Sequence, residues 1–303
     1  MNLFQAIIMG IVQGLSEFLP ISSSGHLVFT SNIYKMIENV EFLHSNQEVF
    51  LDIMLHLGTL VAVLIYFRSE ILEVIKSTFY ILKTRKVENE ESKVGLYIIL
   101  GTIITILIAY PLNKIAASLV FQPKLVAILL FLTGILLIVS EKISKRIEEK
   151  KELTLGKSIL IAIAQGIAAL PGFSRSGLTI ATALLLGISR EKAAKYSFLL
   201  SIPIILGASM VYPFVGFNIS EITSYNWTAI MVGTFVSAVV GYLSIKYFMK
   251  FLSKFSLIVF GIYCLIISAI MFLLFLQILL MCVIICVLYF AKAGYKNYFL
   301  SKN

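Results

Sequence analysis

The chain has 303 residues, 59% of them hydrophobic and only 14% charged, with a mean hydropathy of +0.96. A soluble domain carries roughly a quarter charged residues, so this composition excludes one. The formal charge of +9 does not point to nucleic acid, because Lys and Arg sit in short loops between apolar runs, as cytoplasmic membrane loops do.

The N-terminus is apolar but lacks a basic leader and a small-residue cleavage site, so it reads as retained structure. Leu3–Asn32 is then broken by Pro20 and by Ser22-Ser23-Ser24-Gly25-His26. Each half is too short to span alone, so the segment reads as a re-entrant helix–loop–helix hairpin. The loop that follows, with Lys35, Glu38, Glu41 and His44, reads as solvated. Val49–Phe67 crosses inward and ends at Arg68. The basic stretch from Arg68 to Lys93 is cytoplasmic and holds a weakly amphipathic piece, Ile71–Leu82. Val94–Tyr110 runs outward, the loop Pro111–Lys124 lies outside, and Leu125–Val139 returns to the basic stretch from Lys142 to Lys157.

Ser158–Ile188 is broken in its turn by Pro171-Gly172-Phe173-Ser174-Arg175-Ser176-Gly177 and reads as a second re-entrant hairpin. After Arg190, Lys192 and Lys195, Tyr196–Tyr212 runs outward to a loop, Phe214–Asn226, that has no Lys or Arg. Trp227–Lys246 runs inward and Phe255–Leu276 outward. Beyond Gln277 the chain stays apolar to Phe290, and the charge rule favours a return that leaves Lys292, Lys296 and Lys302 in the cytoplasm. Cys264, Cys282 and Cys286 lie in apolar stretches with no zinc spacing and read as packing residues.

The hairpins resemble each other. Gln13-Gly14 and Gln165-Gly166 open matching stretches, each with a proline, and Gln13 to Gly25 has the spacing of Gln165 to Gly177. Three candidate spans follow each hairpin. Three is odd, so the second half is inverted relative to the first. The expected fold is an all-α polytopic membrane protein with an inverted-topology repeat, in which each half is a re-entrant hairpin plus three transmembrane helices. Residues 1–303 form a single membrane domain, with halves 1–150 and 151–276 and a C-terminal apolar extension at 277–303. Such folds place their site where the broken helices meet.

Ionisable residues in membrane segments are costly and usually functional. They are Glu17, His26, Asp52, His56 and Arg175. Gln13 and Glu17 share a helix face; the carboxylate can hold a divalent cation through oxygen or move a proton. Ser22, Ser23 and Ser24 at a helix start can cap it, or form an anion site with its free N–H groups. Ser23 and His26 have the spacing of a hydroxyl–imidazole contact, hence of a nucleophile and its base. Arg175 stands between Ser174 and Ser176, and its planar fork matches phosphate oxygens. For Asp52 and His56, a structural pair and a catalytic pair stay equally open. A cation-capable carboxylate, a serine–histidine pair and a phosphate-binding arginine within apolar walls point to a lipid phosphate.

At these residues the chain resembles the undecaprenyl-diphosphatase family, the bacitracin-resistance proteins of bacterial cell-wall lipid recycling. The matching stretches are Gln13-Gly14-Leu15-Ser16-Glu17-Phe18-Leu19-Pro20-Ile21-Ser22-Ser23-Ser24-Gly25-His26 and Leu170-Pro171-Gly172-Phe173-Ser174-Arg175-Ser176-Gly177, with Leu55-His56-Leu57-Gly58-Thr59-Leu60 and Tyr196-Ser197-Phe198-Leu199-Leu200-Ser201-Ile202-Pro203. The likeness runs from about Asn2 to Leu276. It implies hydrolysis of undecaprenyl diphosphate at the outer face of the cytoplasmic membrane, helped by a divalent cation (Mg2+ or Ca2+). Gln13 and Glu17 then match the cation or diphosphate pair, Ser23 and His26 the serine and catalytic histidine, and Arg175 and Thr179 the phosphate-contacting positions. Ser22, Ser24, Ser174 and Ser176 join them as expected substrate ligands. Serine, histidine and water all stay open as the attacking group, with Ser23 activated by His26 the arrangement favoured. Cys264 stands where the family commonly has arginine, a departure expected to lie away from the site. The expected partners are the lipid substrate and the membrane, with a homodimer admitted and no nucleic acid. A transporter or flippase of undecaprenyl phosphate is the competing reading.

Overall fold

The structure, a computed structural model, describes residues 2–38, 46–87, 91–147, 149–216 and 223–276. The expectations for Glu41, His44, Cys282, Cys286 and the C-terminal path at 277–303 lie outside the described residues. Among the described residues, eleven α-helices run in chain order: α1 (Leu3–Ser16), α2 (Ser23–Glu38), α3 (Asn46–Tyr66), α4 (Arg68–Thr84), α5 (Val94–Leu119), α6 (Pro123–Ser144), α7 (Leu155–Ile167), α8 (Arg175–Leu185), α9 (Arg190–Gly216), α10 (Trp227–Leu252) and α11 (Ile258–Leu276). No strand occurs among the described residues. Among the described residues, six helices (α3, α5, α6, α9, α10 and α11) are long and apolar enough to cross a bilayer, so the chain is a multi-pass membrane protein.

The interrupted segments each fold as a short helix, a turn and a second helix. α1 has 14 residues and α7 has 13. At 1.5 Å per residue each reaches about 20 Å, short of a ~30 Å hydrocarbon core. Each stops at its proline-containing turn, and a second short helix leaves from it. α4 covers the expected amphipathic piece.

Two expectations need correction. α5 does not end at Pro111 but runs through it to Leu119, just as α9 runs through Pro203 within the span expected there. Proline stops helices in water because water solvates the freed backbone; in a bilayer, continuing the helix is the cheaper way to satisfy that backbone. Lys35 is not solvated. It is 4% exposed and pairs with Glu48 at 2.8 Å, while Gln5 Nε2 donates to the same carboxylate at 3.2 Å. This ties α1, α2 and α3 together at one end. Glu141, at the end of α6, is also fully buried, held by two nitrogens of the Arg190 guanidinium.

α10 is the spine against which α1 and α3 lie, and small residues let the backbones meet. A Cβ on Gly10 would lie 2.5 Å from the Gly233 carbonyl oxygen, and one on Gly58 would lie 2.4 Å from that of Thr234. Gly58→Ala is therefore expected to lower the melting temperature in detergent by several degrees, through about 1–3 kcal/mol of overpacking. Gly207→Ala, whose Cβ meets nothing within 4 Å, is the control and should leave it unchanged or raised.

The core beside the site is aromatic. Phe18, buried next to Glu17, packs edge-on to Phe198 of α9 at 5.2 Å, and Phe198 touches Phe67 and Phe248. This anchor fixes the turn after α1 and with it the direction of Glu17.

Candidate active site

The turns of the two hairpins meet. Ser22, with a left-handed φ of 70°, donates from Oγ to the Phe173 carbonyl at 3.2 Å and caps α2 by accepting from the Gly25 N–H at 3.1 Å. Ser24 Oγ accepts from the Gly172 N–H at 3.4 Å. Ser176 Oγ donates to the Leu19 carbonyl at 3.0 Å. Gly172 has a φ of +101°, and a Cβ there would lie 2.3 Å from the Val126 carbonyl oxygen, so only glycine fits this close approach.

Ser174 caps α8 by accepting from the Gly177 N–H at 3.0 Å. Ser22, Ser174, Ser176 and Thr179 were expected against substrate. All four are at most 2% exposed, with hydroxyls engaged in caps, inter-loop bonds or, for Thr179, the Arg175 carbonyl at 2.8 Å and Ser197 Oγ at 2.6 Å. In this arrangement they form the joint that seats two helix N-termini together. Such an end is favourable for an anion.

At the joint, Arg175 Nη2 of the second hairpin donates to Glu17 Oε1 of the first. The other oxygen, Glu17 Oε2, accepts from Ser23 Oγ at 2.7 Å and Gln13 Nε2 at 3.0 Å, and His56 Nε2 of α3 stands 3.6 Å from it. Arg175 Nη1 and Gln13 Oε1 are buried with no hydrogen-bond partner. The guanidinium therefore has one occupied arm and one unused arm.

The expected Ser23–His26 contact is not made. Ser23 opens α2 and its hydroxyl points back to the end of α1, onto Glu17. His26 Nδ1 turns to the Ser22 carbonyl at 2.8 Å, and its Nε2 meets the Tyr263 hydroxyl of α11 at 2.8 Å. The departure at Cys264 is not remote either, because its Sγ donates to the Pro20 carbonyl at 3.6 Å, on the turn of the first hairpin. Two neighbours of the site were not among the expected site residues. His56 was visible as an ionisable residue in an apolar run; Tyr263 had no signal, being a tyrosine in an apolar helix. A cavity of about 110 Å3 opens beside His56, lined in part by Ser24, Asp52, Gln5, Glu48 and Pro171.

Among the described residues, no group of three or more His, Cys, Asp or Glu is placed to hold a metal. The Gln13 amide oxygen and the Glu17 carboxylate fit a hard cation that takes its remaining oxygens from substrate and water, as Mg2+ commonly does.

The chain matches the family described as Bacitracin resistance protein BacA over residues 6–270. It is 38% identical over 266 residues to a protein of Halothermothrix orenii named undecaprenyl-diphosphatase, covering 87% of this chain and 95% of that protein. It is 39% identical over 265 residues to one of the same name from Carboxydothermus hydrogenoformans (87% and 94%), and 37% over 286 residues to one from Methanobrevibacter smithii (90% and 97%). With a family match across most of its length and relatives this similar, the chain belongs to the BacA family of bacitracin resistance proteins.

Proposed function

We propose that the protein hydrolyses undecaprenyl diphosphate to undecaprenyl phosphate and inorganic phosphate at the outer face of the bacterial cytoplasmic membrane. That returns the cell-wall carrier lipid to use and confers resistance to bacitracin. The observation that carries this reading is the half-buried Arg175, with one arm on Glu17 and a buried, unused Nη1, at two helix N-termini and beside a serine hydroxyl. A diphosphate is the ligand that such donors match, with the isoprenoid tail left in the bilayer.

In the mechanism, Arg175 and the helix ends hold the diphosphate and stabilise its developing charge. Ser23 Oγ attacks the terminal phosphorus, its proton passes to Glu17 Oε2, and the bond from phosphorus to the bridging oxygen breaks, releasing undecaprenyl phosphate. Water then attacks the phosphoserine and gives its proton to His26. The phosphorus–Oγ bond breaks, Ser23 recovers its proton from Glu17, and His26 gives the proton it took from water to solvent as phosphate leaves. With Nη1 on the diphosphate and Nη2 on Glu17, Arg175 shares its one positive charge between two anions and no longer fully balances Glu17. A divalent cation (Mg2+ or Ca2+) at Gln13 and Glu17 would balance it and neutralise phosphate oxygens.

We also propose the inverted repeat, with halves 1–150 and 151–276 and the extension 277–303. The packing supports it: α1 lies on α10 as α7 lies on α5, and Gly134 of α6 and Gly261 of α11 face each other, each Cβ reaching the other's carbonyl oxygen within 2.9 Å.

Purified protein in micelles separates a phosphatase from a flippase. Phosphate release from undecaprenyl diphosphate is expected with Mg2+ or Ca2+ and should cease with chelator. A preparation that moves the lipid across vesicle bilayers yet releases no phosphate in micelles would overturn the reading.

A further inference from the structure

His26 uses both ring nitrogens, and the contact at Nδ1 fixes its hydrogen. Nδ1 lies 2.8 Å from the Ser22 carbonyl, which can only accept, so Nδ1 carries the hydrogen. The neutral ring then presents a lone pair at Nε2. The Tyr263 hydroxyl, 2.8 Å away, must be the donor to it. The two rings are nearly parallel, with an interplanar angle of 8° and centroids 5.7 Å apart. Tyr263 comes from α11, is 36% exposed, and sits next to Cys264, which is anchored to the Pro20 carbonyl. The phenol therefore approaches His26 from a helix already fastened to the first hairpin.

We propose that Tyr263 is a positioning residue for His26: the Ser22 carbonyl sets the Nδ1–H tautomer, and the Tyr263 hydroxyl holds the Nε2 edge of the ring in place, so that Nε2 is the proton acceptor. This rests on the phosphatase reading above. A hydroxyl is the group suited to the task, because it serves both states of the ring. It donates to Nε2 while His26 is neutral. As water attacks, the hydroxyl turns away and frees the Nε2 lone pair; once water has given Nε2 its proton, the phenol, which has kept its own hydrogen, accepts from Nε2–H. An ammonium could not accept and a carbonyl could not donate. The side chain that loses only this ability is phenylalanine, which keeps the stacked ring.

The test uses full-length protein labelled with 15N-histidine in micelles. The chain has three histidines, and the His26 resonances are assigned by their loss in His26→Gln. In the wild type, His26 is expected as the Nδ1–H tautomer with a hydrogen-bonded, unprotonated Nε2. Tyr263→Phe should move Nε2 toward the position of a free, unprotonated nitrogen and leave the other histidines and the melting temperature unchanged. It should lower kcat about tenfold with KM unchanged, the scale of one lost hydrogen bond at a reacting group. A His26 spectrum unaltered by Tyr263→Phe overturns the proposal. A shifted spectrum with unchanged kcat overturns it as well, since the contact would then serve packing alone. A wild type that releases no phosphate overturns the phosphatase reading instead, and is measured before any variant.

Discussion

Arg175→Met is expected to abolish phosphate release and also to weaken the fold. The catalytic part follows from position. The guanidinium is the cation that the structure puts at the meeting of the two hairpins, and removing such a group from phosphoryl transfer costs on the order of 10³-fold or more in kcat. The structural part follows from Glu17, 6% exposed and left facing Ser23 and Gln13 with no guanidinium. Breaking a buried pair by removing one partner costs about 3–5 kcal/mol. Loss of activity alone would therefore be ambiguous. The double variant Glu17→Gln/Arg175→Met separates the two effects. It removes both charges, so its melting temperature in detergent should recover most of the loss while phosphate release stays absent. Arg175→Lys keeps the charge but not the planar fork, and is expected to fall between, at least about tenfold below wild type. Single-variant activity within about tenfold of wild type would remove the anion site from the mechanism.

Much of the site was legible because membranes make polarity conspicuous. Pro20 and Pro171-Gly172 marked the turns, and Glu17, His26, His56 and Arg175 stood out against apolar surroundings. What the spacing misjudged was partnership. Ser23 and His26 are a helical turn apart, yet side chains on a helix lean toward its N-terminus, so each reaches backward. Ser23 finds Glu17 and His26 finds Ser22. Contacts across the fold had no local trace. His56 arrives from α3, Tyr263 from α11, and Lys35 is buried because Glu48 comes to meet it. The serines were legible as polar but not as a joint, since a hydroxyl at a helix start reads the same whether it caps, binds an anion or fastens a neighbouring turn.

That reassignment sets the second large effect. If Ser23 attacks and Glu17 takes its proton, Ser23→Ala and Glu17→Gln should each lower kcat by about 10³–10⁵, and the double variant should be no worse than the more damaging single one, because the two act as a unit. Glu17→Gln also leaves Arg175 without its carboxylate, so its melting temperature must be measured beside its rate. His26→Gln should behave differently. With Ser23 and Glu17 intact the first step survives, while hydrolysis of the phosphoserine slows. Mass spectrometry of His26→Gln quenched during turnover should therefore find phosphate on Ser23, and a burst of one undecaprenyl phosphate per protein should precede the slow phase. Direct attack by water predicts neither. Under that mechanism Ser23→Ala loses only a hydrogen bond to Glu17, its activity stays above about 1% of wild type, and no phosphoserine forms in any variant. The distinction turns on one contact, the 2.7 Å bond from Ser23 to Glu17, which supplies the hydroxyl with a proton acceptor before substrate arrives.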